Sequence, residues 1–490
     1  MGHIGMVQVV SADRPEADLL AVGCFEGEAP AVDGLEGENR RAAERLASRS
    51  GWKGKEDQTV QTEAGPEGPI VSLHGLGSRN EFNFAKLSRW LYRAAEEARQ
   101  AGARRFTVVL PAHEETSGQA VGRVLRALAL TVYRFDRYQS ESAKANRLER
   151  LAVVPPAGEE AAWREALSAA AAVAEAVAFA RDLANSPANE ANPAWMEERA
   201  RELAGDRGLD VTVLGADELR NRGMGGLLAV GAGSVHEPRM VRLQYGRTGP
   251  RIALVGKGVT FDTGGISIKP AADMDEMKYD KSGACAVLGI ARAVADLELP
   301  VRLSVYAPLA ENMLSSRSYR PSDIVRCYNG KTVEITNTDA EGRMILADAL
   351  AWAAEDRPDA IVEYSTLTGA CVVALGSQAA GLFSPDEGLA GELTAAAAEA
   401  GERLWPLPMY PEFLDEMKGT HADLRNSAGR WGGASLAAAF LSQFVGETRR
   451  WAHLDIAGVS NVKADQGASA AGATGFGVAL TVSWLRRLAG

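Results

Sequence analysis

The segment NTDAEGR, positions 337 to 343, brings two carboxylates and one guanidinium close together in the chain. Its charged residues Asp339, Glu341 and Arg343 are spaced two apart, and residues two apart in an extended chain point to the same side. We therefore expect the three side chains to converge on one place. Two anions facing one cation indicate either a neutralised surface network or a site that holds a doubly positive ion.

Two further segments supply charged residues of the same kind. VGKGVTFDTGGISIKP contains Lys257, Asp262 and Lys269, and MKYDKSG contains Asp280. With the two acids of NTDAEGR they make four carboxylates, which would repel one another at a single site unless cations neutralise them. Two divalent metal ions would supply four positive charges, and such pairs can activate water and hold an attacking and a leaving group. Oxygen ligands without histidine favour zinc, manganese or magnesium over copper.

The cations of these segments have separate predicted roles. Lys257 can ligate a metal as a neutral amine, because buried lysines shift their pKa readily. Lys269 can stay charged and stabilise an oxyanion. Arg343 presents a rigid fork that suits a small oxyanion such as carbonate or a carboxylate.

Each of these residues also has a simpler interpretation. An isolated Asp or Glu in a loop is usually solvated, and Lys257 alone would be a surface cation. Asp339 and Glu341 alone would suit the N-terminus of a helix beginning in GRMILADAL, where the helix dipole stabilises acids. The metal-site prediction therefore depends on the combination of three segments. A binuclear phosphoesterase is a further alternative, disfavoured because such sites usually use histidine and none lies near these motifs.

Alternating strand-like and helical segments must position these residues. The strand-like runs are LDVTVLG, RIALVGKG, VRLSVYAPL, TVEITNT and DAIVEYSTL, with helical patterns such as SGACAVLGIARAVADLEL and GRMILADALAWAAEDR between them. This alternation predicts an α/β fold with a mostly parallel central sheet flanked by helices. Ligands of such sheets bind at the carboxyl ends of strands, where Lys257 follows IALVG, and Asp339 and Glu341 follow TVEIT.

A chain of 490 residues is too long for one ordinary core and predicts two domains. Residues 1–158 carry strand-like runs and the helical pattern FAKLSRWLYRAAEEARQ, which predict a smaller N-terminal α/β domain. An Ala-rich linker helix is expected over 159–185, followed by the catalytic domain over 186–490. Asn192 and Pro193 are typical of the N-cap and the first position of the next helix.

The composition is that of a globular protein, with 46% hydrophobic and 24% charged residues. Positions 25–70, rich in Gly, Glu, Ala and Pro, indicate loops. The four cysteines form no C-x-x-C pair, which fits a reducing, cytoplasmic setting with buried free thiols. We expect neither a signal peptide nor a membrane helix, because the N-terminal segment lacks the charged-then-apolar pattern and no apolar run approaches about 18 residues.

A basic stretch over positions 123–150 leaves DNA binding as an alternative function from a different class. Against three acids it carries the basic residues Arg123, Arg126, Arg134, Arg137, Lys144, Arg147 and Arg150. With a net charge of -11 for the whole chain, a solvated helix face is the favoured interpretation and nucleic acid is a disfavoured partner. Salt-dependent retardation of duplex DNA would distinguish the two.

Five segments together resemble one known family. NTDAEGR, VGKGVTFDTGGISIKP, MKYD-x-x-GA, YRPSDIV and TLTGACVVALG resemble the dinuclear leucyl aminopeptidase (cytosol aminopeptidase) family. The match is continuous from about Ala180 to the C-terminus, whereas the N-terminal third is similar only loosely. The resemblance implies an enzyme that releases N-terminal amino acids, leucine-like ones preferred, from peptide substrates. It also implies a cytoplasmic homohexamer with active sites facing inward.

The resemblance assigns metal ligands by motif. Lys257, Asp262, Asp280 and Glu341 look like the ligands of the tighter of two divalent ions, zinc or manganese. The second ion would be held by Asp262, Asp339 and Glu341, so that Asp262 and Glu341 bridge the pair.

The resemblance also implies catalytic and substrate-binding residues. Lys269 and Arg343 match the two catalytic positions. Water activated by the two ions would attack a carbonyl polarised by Lys269, and a bicarbonate held by Arg343 would be the general base. The pocket for the first side chain is expected at Met277, Thr366, Leu367 and Gly369.

Two departures from the family pattern concern the surroundings of the site. Lys281 follows Asp280 where the family usually has an apolar residue, often methionine. In an extended stretch its side chain should point away from the metals, and it could tune their affinity. Glu363, Tyr364 and Ser365 replace the usual Asp-Leu-Ala before TLTGA, which we interpret as changes in packing.

Overall fold

The computed structural model describes residues 7–10, 16–33, 35–140, 148–463 and 470–489. Contacts between residues divide the chain into two units. The first extends to Ala178 and includes the later segment Val462–Ala471, and the second holds Phe179–Asn461 and the chain from Gly472 onward. The division therefore falls inside the helix for which the sequence predicts a linker, and the domain limits drawn from the sequence stay a prediction.

The N-terminal unit is built on one sheet. Its strands are β1 (Val7–Val9), β2 (Leu19–Cys24), β3 (Thr59–Glu63), β4 (Ile70–Gly75), β5 (Arg105–Val109) and β6 (Arg150–Val154). Its helices are α1 (Gly37–Ala47), α2 (Phe84–Gln100) and α3 (Val121–Leu130), and α4 (Glu160–Asn185) continues into the second unit. The strand order is β1-β6-β5-β2-β4-β3, and the neighbouring strands are parallel except for β3, which runs antiparallel to β4.

The loop prediction for positions 25–70 is wrong in part, because α1 and β3 lie inside that stretch. Helix α1 forms because Ala42, Ala43 and Leu46 share one face and are buried there. The Gly and Glu content of the stretch concealed this short apolar stripe. By contrast, α2 begins and ends where its amphipathic pattern predicts.

The second unit contains the elements that the site requires. Its strands are β7 (Asp210–Leu214), β8 (Arg239–Tyr245), β9 (Arg251–Gly256), β10 (Gly258–Asp262), β11 (Arg302–Asn312), β12 (Ile324–Arg326), β13 (Thr332–Glu334), β14 (Ala360–Ser365), β15 (Ala380–Phe383), β16 (Leu404–Pro406), β17 (Leu424–Arg425), β18 (Trp451–Asp455), β19 (Asn461–Val462) and β20 (Gly472–Ala473). Its helices are α5 (Pro193–Arg207), α6 (Ala216–Arg222), α7 (Gly225–Gly231), α8 (Ser282–Asp296), α9 (Gly342–Glu355), α10 (Gly369–Leu375), α11 (Glu387–Ala400), α12 (Pro411–Glu416), α13 (Gly433–Leu441) and α14 (Val478–Ala489). Helix α5 starts as predicted, since the Asn192 side chain accepts hydrogen bonds from the backbone N–H groups of Ala194 and Trp195.

The main sheet has the strand order β16-β15-β18-β14-β9-β11-β8-β7, and β10 continues beside β11. Its centre, β18-β14-β9-β11, is parallel, whereas β7 and β8 pair antiparallel at one edge. The predicted α/β fold with a mostly parallel sheet is confirmed. The prediction that the run TVEIT belongs to this sheet is wrong, because β13 lies in a separate small sheet with the order β12-β13-β17.

Two buried helices, α8 and α9, pack against the strands that lead to the site. Helix α8 and helix α9 are apolar along almost their whole length, and both pack against β9 and β11. A helix that is apolar on every side must lie inside a core, which fixes its N-terminus firmly. Of the helices in the described ranges, none combines the length and the apolarity that crossing a membrane requires.

Candidate metal centre

Three carboxylates from distant parts of the chain meet in one buried place. Asp262 ends β10, Asp280 lies in a 3₁₀ helix (Met274–Lys281), and Glu341 directly precedes α9. Each offers a carboxylate oxygen within 4.8 Å of the other two, although the residues are only 1%, 7% and 2% exposed. Buried like charges repel one another unless cations lie among them.

Lys257 supplies the first cation of this cluster. It is the single residue between β9 and β10, and its Nζ lies 2.8 Å from Asp280 Oδ1 and 2.8 Å from Glu341 Oε1. Gly283, at the start of α8, packs directly against the backbone of Lys257. A Cβ at Gly283 would lie 2.8 Å from the Lys257 backbone nitrogen, so no larger residue fits at that position. Burial lowers the pKa of Lys257, but the charges of the surrounding carboxylates outweigh burial and raise it above its usual value.

Lys269 supplies the second cation. Its Nζ lies 2.9 Å from Asp262 Oδ2 and 2.5 Å from Asp339 Oδ1, which brings the fourth predicted carboxylate to the edge of the cluster. Burial lowers the pKa of Lys269, and the carboxylates of Asp262, Glu341 and Asp339 raise it further than burial lowers it. Lys269 is therefore an ammonium at neutral pH.

The lysines are shifted toward their charged form, whereas Asp262 and Asp280 are shifted toward their neutral form. Burial, followed by repulsion from neighbouring carboxylates, raises the pKa of Asp262 to about 8. Burial also raises the pKa of Asp280, to about 6, against the attraction of Lys257. Glu341 differs, because the ammonium groups of Lys257 and Lys269 outweigh its burial and lower its pKa. The cluster holds more negative charge than its lysines neutralise.

The donor set fits divalent cations. Around this centre, the described residues place the carboxylates of Asp262, Asp280, Asp339 and Glu341 against the ammonium groups of two lysines. Two buried oxygens, Asp280 Oδ2 and Glu341 Oε2, have no hydrogen-bond partner among the described residues. Buried carboxylate oxygens without a donor are costly unless a cation takes the place of the donor.

A β-bulge directs Asp262 into the cluster. Along β11, Val259 pairs with Ala310 and Asp262 pairs with Asn312, so β10 contains one residue more than its partner between these pairs. The Asn312 side chain then donates to Asp262 Oδ1 at 2.8 Å and to the backbone oxygen of Thr338 at 3.1 Å. Sequence reasoning missed Asn312, and its position at the end of strand β11 is the signal that could have found it.

The NTDAEGR segment converges in a different way from the one predicted. Asp339 lies in a turn, Glu341 occupies the N-cap position of α9, and Arg343 lies in the first turn of that helix. The expectation of an extended segment is wrong, because the apolar run after Gly342 starts the helix at once. The turn is held by Asn426, whose side chain donates to the backbone oxygen of Asn337 at 2.6 Å.

Arg343 is directed toward the same asparagine. Its Nη1 donates to the backbone oxygen of Asn426 at 2.7 Å, and its Nε has no hydrogen-bond partner among the described residues. Burial lowers the pKa of Arg343 to about 10, so the guanidinium stays charged at neutral pH. One edge of its fork is therefore available to an oxyanion.

Comparisons with known proteins agree on the family. A model of the cytosol aminopeptidase family catalytic domain matches residues 178–482, and a model of the N-terminal domain of the same family matches residues 21–142. The chain belongs to the cytosol aminopeptidase family. It is therefore a peptidase, and membership of this family supports the activity of a metal-dependent aminopeptidase.

Curated and structural relatives cover nearly the whole aminopeptidase chain. A probable cytosol aminopeptidase from Roseiflexus castenholzii is 43% identical, and the match covers 96% of each chain. One from Aquifex aeolicus is 40% identical, covering 96% of this chain and 95% of the relative. The bottromycin maturation enzyme BotP in complex with Mn has a TM-score of 0.86 at 35% identity, covering 97% of this chain and all of that structure.

The loop that contains Thr366, Leu367 and Gly369, which the sequence predicts to bind substrate, lies beside Asp280. The Thr366 hydroxyl donates to Asp280 Oδ1 at 2.7 Å, and its backbone oxygen accepts from Lys257 Nζ at 3.1 Å. Leu367 is half-buried, Gly369 begins α10, and Met277 is half-buried in the 3₁₀ helix that carries Asp280. The structure thus places Thr366 in contact with the carboxylate cluster, Met277 in the 3₁₀ helix of Asp280, and Leu367 and Gly369 in the loop of Thr366.

Asp455 holds this loop and was not found from the sequence. Its carboxylate accepts from the Leu367 backbone N–H at 3.2 Å and from the Thr368 hydroxyl at 2.7 Å. Asp455 ends β18, the neighbour of β14, so strand order decides its place beside the loop. A single acid separated from the loop by nearly ninety residues gives no local signal.

The departures before the loop are accommodated by packing. Glu363, Tyr364 and Ser365 are all fully buried in β14. The Glu363 carboxylate contacts His453 Nδ1, and His453 is its direct partner in the neighbouring strand β18. The Tyr364 hydroxyl contacts the Thr481 hydroxyl at 2.5 Å. These partners lie inside the core and do not contact the metal centre directly.

Proposed function

We propose that this aminopeptidase releases N-terminal residues with leucine-like side chains, using two divalent ions, zinc or manganese. The observation that carries the proposal is the excess of buried carboxylate over ammonium, with two carboxylate oxygens left without a donor among the described residues. The ligands would be Asp262, Asp280, Asp339, Glu341 and Lys257. The carboxylates favour the ammonium form of Lys257, so a divalent ion would have to displace its proton. Manganese gains support because the similar BotP structure is described as a complex with Mn.

The central position of Asp262 and Glu341 in the carboxylate cluster supports the proposal that each would contribute to holding both ions. Asp262 contacts Lys269, Glu341 contacts Lys257, and the two carboxylates are themselves within 4.8 Å of each other. They therefore lie between the two lysine-centred halves of the cluster. Divalent ions in this position would supply Lewis acidity toward a peptide carbonyl and toward water.

The two catalytic positions would act on opposite charges. Lys269, kept protonated by its carboxylate neighbours, would donate to the oxyanion that develops on the scissile carbonyl. Arg343 would hold a bicarbonate ion as the general base through the edge of its fork that includes Nε. Arg343 is anchored by the backbone oxygen of Asn426, whereas Lys269 would have to release Asp262 and Asp339 to the ions before it donates to the oxyanion.

The exopeptidase specificity would follow from metal coordination and shape. A free N-terminal amine would bind one of the two ions through its nitrogen, whereas a blocked N-terminus has no free amine to do so. Met277, Thr366, Leu367 and Gly369 would form the pocket for the first side chain. The apolar Met277 and Leu367 support a preference for aliphatic residues such as leucine.

The deciding experiment is hydrolysis of leucine p-nitroanilide by chelator-stripped protein, with zinc or manganese then added back. Activity should return with metal in the wild type and stay absent in Glu341→Ala. Glu387→Ala is the matched control, because Glu387 also lies at the start of a helix but is exposed. Failure to cleave any unblocked amino-acid amide with either metal would overturn the proposal, and cleavage of N-acetyl-leucine p-nitroanilide would overturn the exopeptidase part.

A cytoplasmic homohexamer stays a prediction from the resemblance, testable by sedimentation of the full chain.

DNA binding gains little support from the basic stretch. Arg123 and Arg134 each form an ion pair, with Glu115 and Glu96 respectively, and both are half-buried. Lys144 and Arg147 lie outside the described residues. Retardation of duplex DNA that disappears with added salt would favour this second function.

A further inference from the structure

Lys281 is completely buried directly after Asp280, and its ammonium contacts backbone oxygens. Its Nζ donates to the oxygen of Ala184 at 3.2 Å, of Ser186 at 2.9 Å and of Lys278 at 2.5 Å. A buried ammonium is costly unless hydrogen bonds replace its hydration. Its three protons match these three acceptors, so the arrangement satisfies the charge with neutral carbonyl groups.

Two of the acceptors belong to the end of a long helix. Ala184 lies in the last turn of α4, and Ser186 follows the final residue of that helix. Carbonyl groups at a helix C-terminus lack partners within the helix and carry the negative end of its dipole. A lysine that donates to them therefore caps the helix, and here the cap comes from a segment about a hundred residues away.

The third acceptor lies in the segment that carries Asp280. The Lys278 backbone oxygen is three residues before Lys281 in the 3₁₀ helix Met274–Lys281. The ammonium thus connects that 3₁₀ helix to the end of α4. An apolar side chain of similar length, such as methionine, would leave the oxygens around it without this donor.

We propose that Lys281 is a positioning residue for the metal centre. By tying the 3₁₀ helix to α4, it fixes the backbone at Asp280, whose carboxylate must meet Lys257 and the hydroxyl of Thr366 at 2.8 Å and 2.7 Å. The inference rests on the proposed function, in which Asp280 is a metal ligand. Among the described residues, the hydrogen bonds of the Lys281 ammonium go to backbone oxygens and not to the carboxylates of the cluster.

The test is the dissociation constant for Mn²⁺, measured by equilibrium dialysis on chelator-treated full-length protein. Lys281→Met should weaken Mn²⁺ binding about 10- to 100-fold, the range expected when a group that orients a ligand is lost. Lys281→Gln keeps N–H donors on a shorter side chain and should recover part of the affinity. Lys278→Met is the matched control, because it removes the same charge from the same helix but not the contact with α4, and it should change binding less than about twofold.

The variants separate positioning from mere stability. Thermal unfolding identifies a temperature at which every variant is folded, and binding is compared there. If Lys281→Met binds Mn²⁺ as the wild type does while melting earlier, the lysine only stabilises the fold and the inference is wrong. If Lys281→Met does not fold, Lys281→Gln decides, and wild-type affinity in that variant overturns the inference. If the wild type binds no divalent ion, the proposed function fails and this inference with it.

Discussion

Gly342→Ala tests whether Lys257 must occupy one exact position. Gly342 is the first residue of α9, and a Cβ there would lie 2.7 Å from both Cε and Nζ of Lys257. Ordinary contact lies at 3.4–4 Å, so the ammonium must move by at least 0.7 Å, and roughly 1 Å brings it to the middle of that range. Lys257 is only 2% exposed, and its Nζ is 2.8 Å from two carboxylate oxygens, so the movement lengthens both contacts.

The size of the effect follows from these distances. Lengthening an ion pair from 2.8 Å to about 3.8 Å at an effective dielectric constant of 20 loses about 1.5 kcal/mol, hence about 3 kcal/mol for both pairs. Alanine is a better helix former than glycine by about 1 kcal/mol. The free energy of unfolding should therefore fall by about 2 kcal/mol in Gly342→Ala, and aminopeptidase activity should fall at least tenfold because a proposed ligand is displaced.

Urea unfolding and hydrolysis of leucine p-nitroanilide with saturating manganese measure the two effects. Gly205→Ala is the matched control, since Gly205 is also helical and a Cβ there meets nothing within 4 Å. It should stabilise the protein by about 0.5–1 kcal/mol and leave activity unchanged. If Gly342→Ala behaved like Gly205→Ala in both assays, the position of Lys257 would not matter and the reasoning would be refuted.

Three further predictions concern separate residues. Lys269→Ala should lower kcat at least 100-fold without weakening Mn²⁺ binding, since its ammonium acts on the oxyanion and otherwise competes with the ion for Asp262 and Asp339. Asp455→Asn should raise KM for leucine amides about tenfold, because one of its oxygens no longer accepts from the loop at Leu367 and Thr368. Burial raises the pKa of Asp348 to about 7, so the pH dependence of unfolding should be flatter in Asp348→Asn.

The sign of the Asp348 effect follows from proton binding. Between about pH 4 and pH 7 the folded state keeps a proton that the unfolded state releases, so this group's contribution to the free energy of unfolding decreases as pH rises. The loss between pH 5 and pH 7 is up to about 2 kcal/mol. Urea unfolding at several pH values measures it, and a wild-type slope in the variant would contradict the assignment. Equal losses of kcat and metal binding would contradict the prediction for Lys269→Ala, and an unchanged KM would contradict the one for Asp455→Asn.

Local patterns in the sequence predicted the elements that carry the site. Strand β9 and the residue after it, helix α8 and helix α9 all lie where their apolar patterns and motifs indicate. These segments are strongly apolar, so their local secondary-structure propensity and their burial in the core favour the same structure. The cap of α5 by Asn192 is local in the same way.

The parts that depend on distant contacts were not predictable. Asn312, Asp455 and Asn426 each act across a strand or loop neighbour, and a single sequence does not give the order of strands in a sheet. The extended geometry expected for NTDAEGR was wrong, because the turn is stabilised by Asn426 from elsewhere in the chain. The small sheet of β12, β13 and β17 is likewise assembled from separate segments.

The bulge in β10 has a consequence for how such a site can evolve. Side chains alternate between the faces of a strand, so loss of the one extra residue between Val259 and Asp262 would turn Asp262 to the opposite face. Point substitutions around the site can alter its metal or its substrate gradually. If Asp262 is a ligand as proposed, a one-residue deletion in β10 removes it in a single step, and descendants of this chain that stay active must keep the five-residue interval from Lys257 to Asp262.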